Sequence, residues 1–265
     1  MRDDLQKKVD LAIRLIQSAG KMAEKVGQPL EICYSGGKDS DVILELAKMA
    51  GVNYKAIYKN TTIDPPGTIK HCKERGAHMV RPEKTFFQLM AEKGYPSRKV
   101  RYCCQYLKEY KIYDYAVVGI RADESVKRKK LYKEPELCRV YSKKEKVRQY
   151  LPILNWTLED VSEFLKERDV KCAPVYYDEE GVFHPERRLG CLCCPLMTNK
   201  ARARAFEKYP NMVKAYIRGG VIFIYKSINF TVISTIFLSG LSVTCSAILL
   251  QNSGSVSDRI YSMAA

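Results

Sequence analysis

Acidic residues run short in this 265-residue chain: 30 Asp and Glu face 45 Lys and Arg, a net charge of +15. That deficit turns the chain towards anionic partners, namely nucleotides, nucleic acid or an acidic membrane surface. Compositional extremes are lacking too. Hydrophobic residues at 46% and charged residues at 28% exclude a disordered, collagen-like or disulfide-only chain and are enough to fill a core. No internal repeat occurs. No secretory signal opens the chain, because Met1-Arg2-Asp3-Asp4 runs straight into a charged amphipathic segment. A cytoplasmic, reducing address is therefore the expectation. There the ten cysteines are better suited to metal binding or redox chemistry than to stapling a fold.

The length favours one larger domain with appendages. Residues 1–26 read as a helix with Leu5, Val9, Ala12, Ile13 and Ile16 on one face. Residues 27–218 alternate short apolar runs with helical patterns. Leu30–Tyr34, Tyr54–Tyr58 and Tyr115–Ile120 read as buried strands; Asp41–Ala50, Phe86–Glu92 and Leu158–Glu167 read as helices. Gly51 stands where a left-handed cap ends a helix, and Thr157-x-x-Asp160 forms a capping box. The alternation predicts an α/β fold, a Rossmann-like parallel sheet with helices on both faces. Residues 219–265 form an atypical apolar tail. Thr231–Leu250 is long enough to span a bilayer, with 12 apolar members of 20, but seven Ser/Thr dilute it. A tail packed on the domain, or one outside the ancestral fold, is preferred over membrane contact.

Ser35-Gly36-Gly37-Lys38-Asp39-Ser40 sits between the first strand and the next helix. Paired glycines allow close approach of the backbone to an anion. The serines add hydroxyls, Lys38 a cation, and the helix start unpaired N–H groups. This is a phosphate cradle, although neither a Walker A loop nor GxGxxG. The bland alternative is a Gly-Gly turn with a helix cap.

The hexapeptide resembles the PP-loop of the adenine-nucleotide α-hydrolase-like superfamily. Asn60-Thr61-Thr62 and Gly119-Ile120-Arg121-x-x-Glu124-Ser125 narrow the resemblance to the phosphoadenosine phosphosulfate (PAPS) reductase family, over about residues 27–215. The resemblance implies that Ser35, Gly36, Gly37, Lys38, Asp39 and Ser40 bind the phosphates of ATP or of a sulfonucleotide, with Arg121 assisting. Asp39 would cap the helix or position magnesium. No catalytic residue is singled out.

Cys103-Cys104 and Cys191-Leu192-Cys193-Cys194 form a second constellation, and four thiolates from such a pair and a C-x-x-C can surround one soft metal centre. Eighty-six residues lie between Cys104 and Cys191. That spacing resembles the 4Fe–4S ligation of adenylylsulfate reductases and of DNA-phosphorothioation enzymes. It implies Cys103, Cys104, Cys191 and Cys194 as ligands, with Cys193 a spare. Zinc is the alternative metal, and no metal at all the third reading. Arg98, Lys99, Arg101, Arg187 and Arg188 flank the clusters, either tuning thiolates or forming a solvated basic face. The remaining cysteines (Cys33, Cys72, Cys138, Cys172 and Cys245) stand alone.

Missing is the Glu-Cys-Gly-x-x-His setting of the nucleophilic cysteine in sulfonucleotide reductases; Cys245 has neither charge nor histidine beside it. Three functions follow: sulfonucleotide reduction or related sulfur transfer with a thiol reductant or sulfur donor, ATP-dependent sulfur transfer to nucleic acid, or a non-catalytic nucleotide-binding remnant. Residues 127–148 favour the second, because ten Lys/Arg against three Glu, with Tyr132 and Tyr141 interleaved, suit a phosphate backbone. A solvated loop is the alternative there.

Overall fold

The computed structural model describes residues 1–142 and 145–239. Helix α1 (Asp3–Lys25) buries Leu5, Val9, Ala12, Ile16, Ala19 and Ala23, a stripe at three- and four-residue spacing. Ile13, expected on that stripe, is half-buried at its edge. Strand β1 (Leu30–Cys33) points Leu30 and Ile32 into the same core. Helix α2 (Lys38–Ala50) begins with Asp39 and Asp41 in its first turn, where carboxylates suit the dipole. It ends at Gly51, whose φ of 65° and ψ of 25° supply the expected left-handed cap.

Strand β2 (Tyr54–Lys59), helix α3 (Thr68–Glu74), strand β3 (His78–Val80), helices α4 (Phe86–Lys93) and α5 (Tyr102–Leu107) and strand β4 (Tyr115–Val118) follow. Helix α6 (Val126–Leu131), strands β5 (Glu136–Val140) and β6 (Lys146–Tyr150), and helices α7 (Leu158–Glu167), α8 (Asn199–Lys208) and α9 (Pro210–Ser239) complete the described chain. The six strands lie in the order β3-β2-β1-β4-β6-β5. All neighbours pair in parallel except β5 with β6. The architecture is the α/β Rossmann-like fold the alternation predicts, with one antiparallel edge strand added.

That edge strand corrects the reading of residues 127–148 as a solvated loop. They build α6 and a ribbon in which β5 pairs Glu136–Val140 against Lys146–Tyr150. Thr157 forms the expected capping box, its side chain accepting from the Asp160 N–H.

Two cores result. The larger one joins α1, α2, α7 and the inner faces of the central strands. The smaller holds Ile63, Phe86, Leu89, Met90, Tyr102, Leu107, Leu192 and Tyr216. Helix α9 runs unbroken through the 218/219 boundary, and packs on α4 with Gly219 against Met90 and Gly220 against Tyr95. Among the described residues no helix is long and apolar enough to cross a membrane. Residues 240–265, with Cys245 and most of Thr231–Leu250, lie outside the described residues, as do Lys143 and Lys144.

Candidate functional site

The hexapeptide turns at the carboxyl end of β1, the edge of such a sheet where ligands bind. Gly36 has φ of 75°, and a Cβ there would meet the Cys72 sulfur at 2.9 Å. Gly37 is extended at the start of α2, with room for a Cβ only 3.4 Å from the hydroxyls of Ser35 and Tyr176. Gly36 is required by its backbone angle, whereas at Gly37 a Cβ would only touch the two hydroxyls, so glycine there keeps the space above the turn open. Ser40 donates to the Gly37 carbonyl at 2.7 Å and Ser35 to Ser40 at 3.3 Å, which ties the loop to the first turn of α2.

Two buried cations reach this loop and meet on one carboxylate. Lys38 Nζ donates to Asp39 Oδ2 at 3.0 Å, and Arg121 Nε donates to Asp39 Oδ1 at 2.7 Å. Asp39 therefore does not cap α2, contrary to expectation; it bridges Lys38 and Arg121. Arg121 is brought there by Gly119, where an added Cβ would strike the Asp39 carbonyl at 2.9 Å. Below the loop, fully buried Asp41 accepts from the Tyr34 hydroxyl and lies 3.2 Å from His71 Nε2 and 3.6 Å from Arg75 Nε. Burial and Asp41 push the Tyr34 phenol far up, so it remains a donor.

Several contributors were not visible in the sequence. Tyr176, in the short turn Pro174–Tyr176, accepts the Lys38 N–H at 3.2 Å from 138 residues away. Leu189 packs over Gly36 and Gly37. Only the adjacency of Leu189 to the Cys191 cluster hinted at this strap.

The strap leads into the cysteines. Leu192 N–H donates to the Ile63 carbonyl at 2.8 Å and Cys191 Sγ lies 3.6 Å from Thr61 Oγ1, which docks the loop on the segment after β2. Cys103 and Cys104 open α5 on the facing side. Cys103 and Cys193 are both buried in the smaller core, with Cys104 and Cys191 packed against it. Cys193 has φ of 56°, and burial raises its thiol to about 11. Hydrogen bonding from Cys103, and then from Arg101 Nη2 at 3.3 Å, lowers Cys104 to about 6 against the cost of burial. Burial opposes the charge on Lys108, but Cys191, Asp64 and Cys104 outweigh it and raise its pKa. Among the described residues no three His, Cys, Asp or Glu side chains are gathered into a ready-made metal site. Cys33, Cys72 and Cys172 are partly or wholly buried and Cys138 is exposed. The other flanking cations disperse: Arg98 donates to the Met197 carbonyl, Arg187 to the Tyr177 carbonyl and Arg188 to the Glu124 carbonyl.

The uncharacterized protein MJ0973 of Methanocaldococcus jannaschii is 27% identical over 230 residues, covering 82% of this chain and 53% of that protein. The chain spans about half the length of the curated relatives it matches. Among solved structures, FMN adenylyltransferase of Candida glabrata has a TM-score of 0.47 at 15% identity, covering 66% of this chain and 59% of that one. The phosphate complex of phosphoadenylyl-sulfate (PAPS) reductase of Candida auris has a TM-score of 0.44 at 15% identity, covering 72% and 96%. Residues 29–197, from the start of β1 to just past the second cysteine cluster, match the phosphoadenosine phosphosulfate reductase domain, and the chain belongs to that family of PP-loop nucleotide-binding proteins.

Proposed function

We propose that the chain is an enzyme of sulfur chemistry that holds an adenine nucleotide, ATP or a sulfonucleotide, on residues 35–40 and Arg121, and reduces or transfers sulfur beside Cys103, Cys104, Cys191 and Cys194. One observation carries the reading: the strap that lays Leu189 over Gly36 and Gly37 runs within two residues into Cys191. The nucleotide loop and the thiols are thus joined by one short segment. Lys38 and Arg121 would take the phosphate or sulfate charge, with Asp39 fixing where both cations point. Tyr176 would hold the first amide of α2 in place, and Leu189 would keep water off the glycines.

The donor set suits a 4Fe–4S cluster held by the four thiols, with cations at Lys108 and Arg101 offsetting thiolate charge. When bound, such a cluster would supply a soft, redox-active centre held by those four thiols. Zinc is the competing occupant and magnesium a further aid to phosphate binding. A thiol reductant or sulfur donor outside the chain would complete turnover. Protein purified without oxygen should be brown and carry iron and labile sulfide. Cys194→Ser should lose both, while Cys193→Ser should keep them; stoichiometric zinc without iron would refute the cluster.

Sulfur transfer to nucleic acid is favoured by a separate observation. Helix α6, a few residues past Arg121, exposes Lys127, Lys129 and Lys130; Lys133 and the β5–β6 ribbon residues Arg139, Lys146 and Arg148 are exposed as well. Oligonucleotide affinity that falls steeply with salt, and falls again in Lys127→Glu/Lys130→Glu, would select this reading over free-nucleotide chemistry.

A further inference from the structure

Helices α8 and α9 lie beyond residue 197, where the family match ends. One face of α9 is covered: Tyr216 is buried, Gly219 and Gly220 abut α4 and its following loop, and Phe223 lies beside Gly94. The other face presents Ile217, Val221 and Ile224 at spacings of four and three residues, at exposures of 42%, 48% and 46%. Large apolar side chains aligned in this way are a surface awaiting a partner. Lys214 and Arg218 are exposed on that same side of the helix, and Lys200, Arg204 and Lys208 are exposed on α8. Across residues 199–226 seven Lys/Arg stand against a single acid, Glu207, and after Lys226 no charged residue occurs before Asp258.

We propose that this face of α9 docks on an anionic lipid surface. The isoleucines and Val221 would settle into the headgroup boundary while Lys214, Arg218 and the α8 cations meet lipid phosphates. Charge selects this occupant over a second copy of the chain. Two surfaces of a +15 protein meeting through basic faces repel, whereas the same charges draw the helix to an anionic bilayer. Docking of this kind needs only the partly buried face of a helix and no membrane crossing. It would place the nucleotide site beside a membrane surface and is independent of the reaction performed there.

The test is co-sedimentation of the full chain with phosphatidylcholine vesicles, with and without about one-third phosphatidylglycerol. The chain should pellet with the anionic vesicles only, and should be released as salt rises to about 0.5 M, where the screening length shrinks to a few ångströms. Lys214→Glu/Arg218→Glu should weaken partitioning by roughly 30-fold or more, at about fivefold for each basic residue lost. Ile224→Glu should weaken it about tenfold or more by placing a charge on the apolar stripe. Nucleotide affinity, read by calorimetry, should be unchanged in both variants, which separates docking from folding. The proposal fails if wild type ignores anionic vesicles, binds neutral ones equally, or is unaffected by both substitutions. A concentration-dependent dimer that Ile224→Glu abolishes, without vesicle binding, would overturn it in favour of self-association.

Discussion

Around β1 and α2 the chain builds its candidate nucleotide loop within a few consecutive residues, whereas the cysteines come from pieces that sequence keeps apart. Ser35–Ser40 needs one strand before it and one helix after it, and both are backed by the larger core. Cys103 and Cys104 open a helix of only six residues. Cys191 and Cys194 arrive on an irregular loop that starts 87 residues after Cys104 and is held by Ile63, Thr61 and the Tyr216 hydroxyl, which donates to the carbonyls of Leu192 and Cys193 at 3.3 Å each. The contrast shows how differently two sites in one domain are secured. The first is fixed by local backbone geometry. The second depends on a small satellite core staying closed.

Breaking the first region should produce the largest functional effect. Gly37→Val should lower nucleotide affinity at least 100-fold by calorimetry, because its methyls fill the space between Ser35 and Tyr176 where a phosphate must enter. Gly36→Val should lose affinity and melt earlier as well, since its positive φ and the nearby Cys72 sulfur strain any side chain there.

Next come the two cores. Phe164→Ala, in the larger core, should cost about 3–5 kcal/mol in urea denaturation of the whole domain. Phe86→Ala is expected to cost a similar amount but to act locally. Hydrogen exchange should then quicken at residues 86–107 and 191–216 before it quickens in β1 or α2. Uniform exchange in both variants would erase the distinction between the regions.

The smallest effect concerns how α1 is fastened to the larger core. Buried Asp160 accepts from Lys8 Nζ at 2.7 Å, from Arg2 Nη2 at 3.0 Å and from the Thr157 N–H at 2.8 Å. Burial opposes its charge, but Lys8 and Thr157 outweigh it and hold the carboxyl below its usual range. The stabilisation is thus present above the unfolded pKa of about 3.9 and is lost as pH falls through the lower folded value. Asp160→Asn should be less stable than wild type at pH 7 by about 1–2 kcal/mol, and the gap should close as pH falls below the unfolded carboxyl value and through the lower folded one. A gap that persists in acid would mean the loss is one of shape rather than charge.

Local chemistry by itself determined the first helix, the strands at residues 30, 54 and 115, the helix over Leu158–Glu167, its capping box, the Gly51 stop and the glycine loop. Each depends on residues within a few positions of one another, where periodicity and backbone preference act directly. The exposed ribbon β5–β6 was not legible: its cations hide the alternation that marks a strand, and its pairing is settled across the sheet edge. The same holds for Asp39. As a residue near a helix start it reads as a cap, but the proximity of Arg121, set by Gly119 packing on the α2 backbone, turns it into a bridge between two cations. Tyr176, Leu189 and Lys108 likewise entered their sites only through folding, because contacts across tens of residues leave no periodic trace in the chain. The resemblance carried by the cysteine spacing named four thiols. Tertiary packing decides where they and Cys193 lie, since the direction of a side chain on an irregular loop is decided by what it packs against.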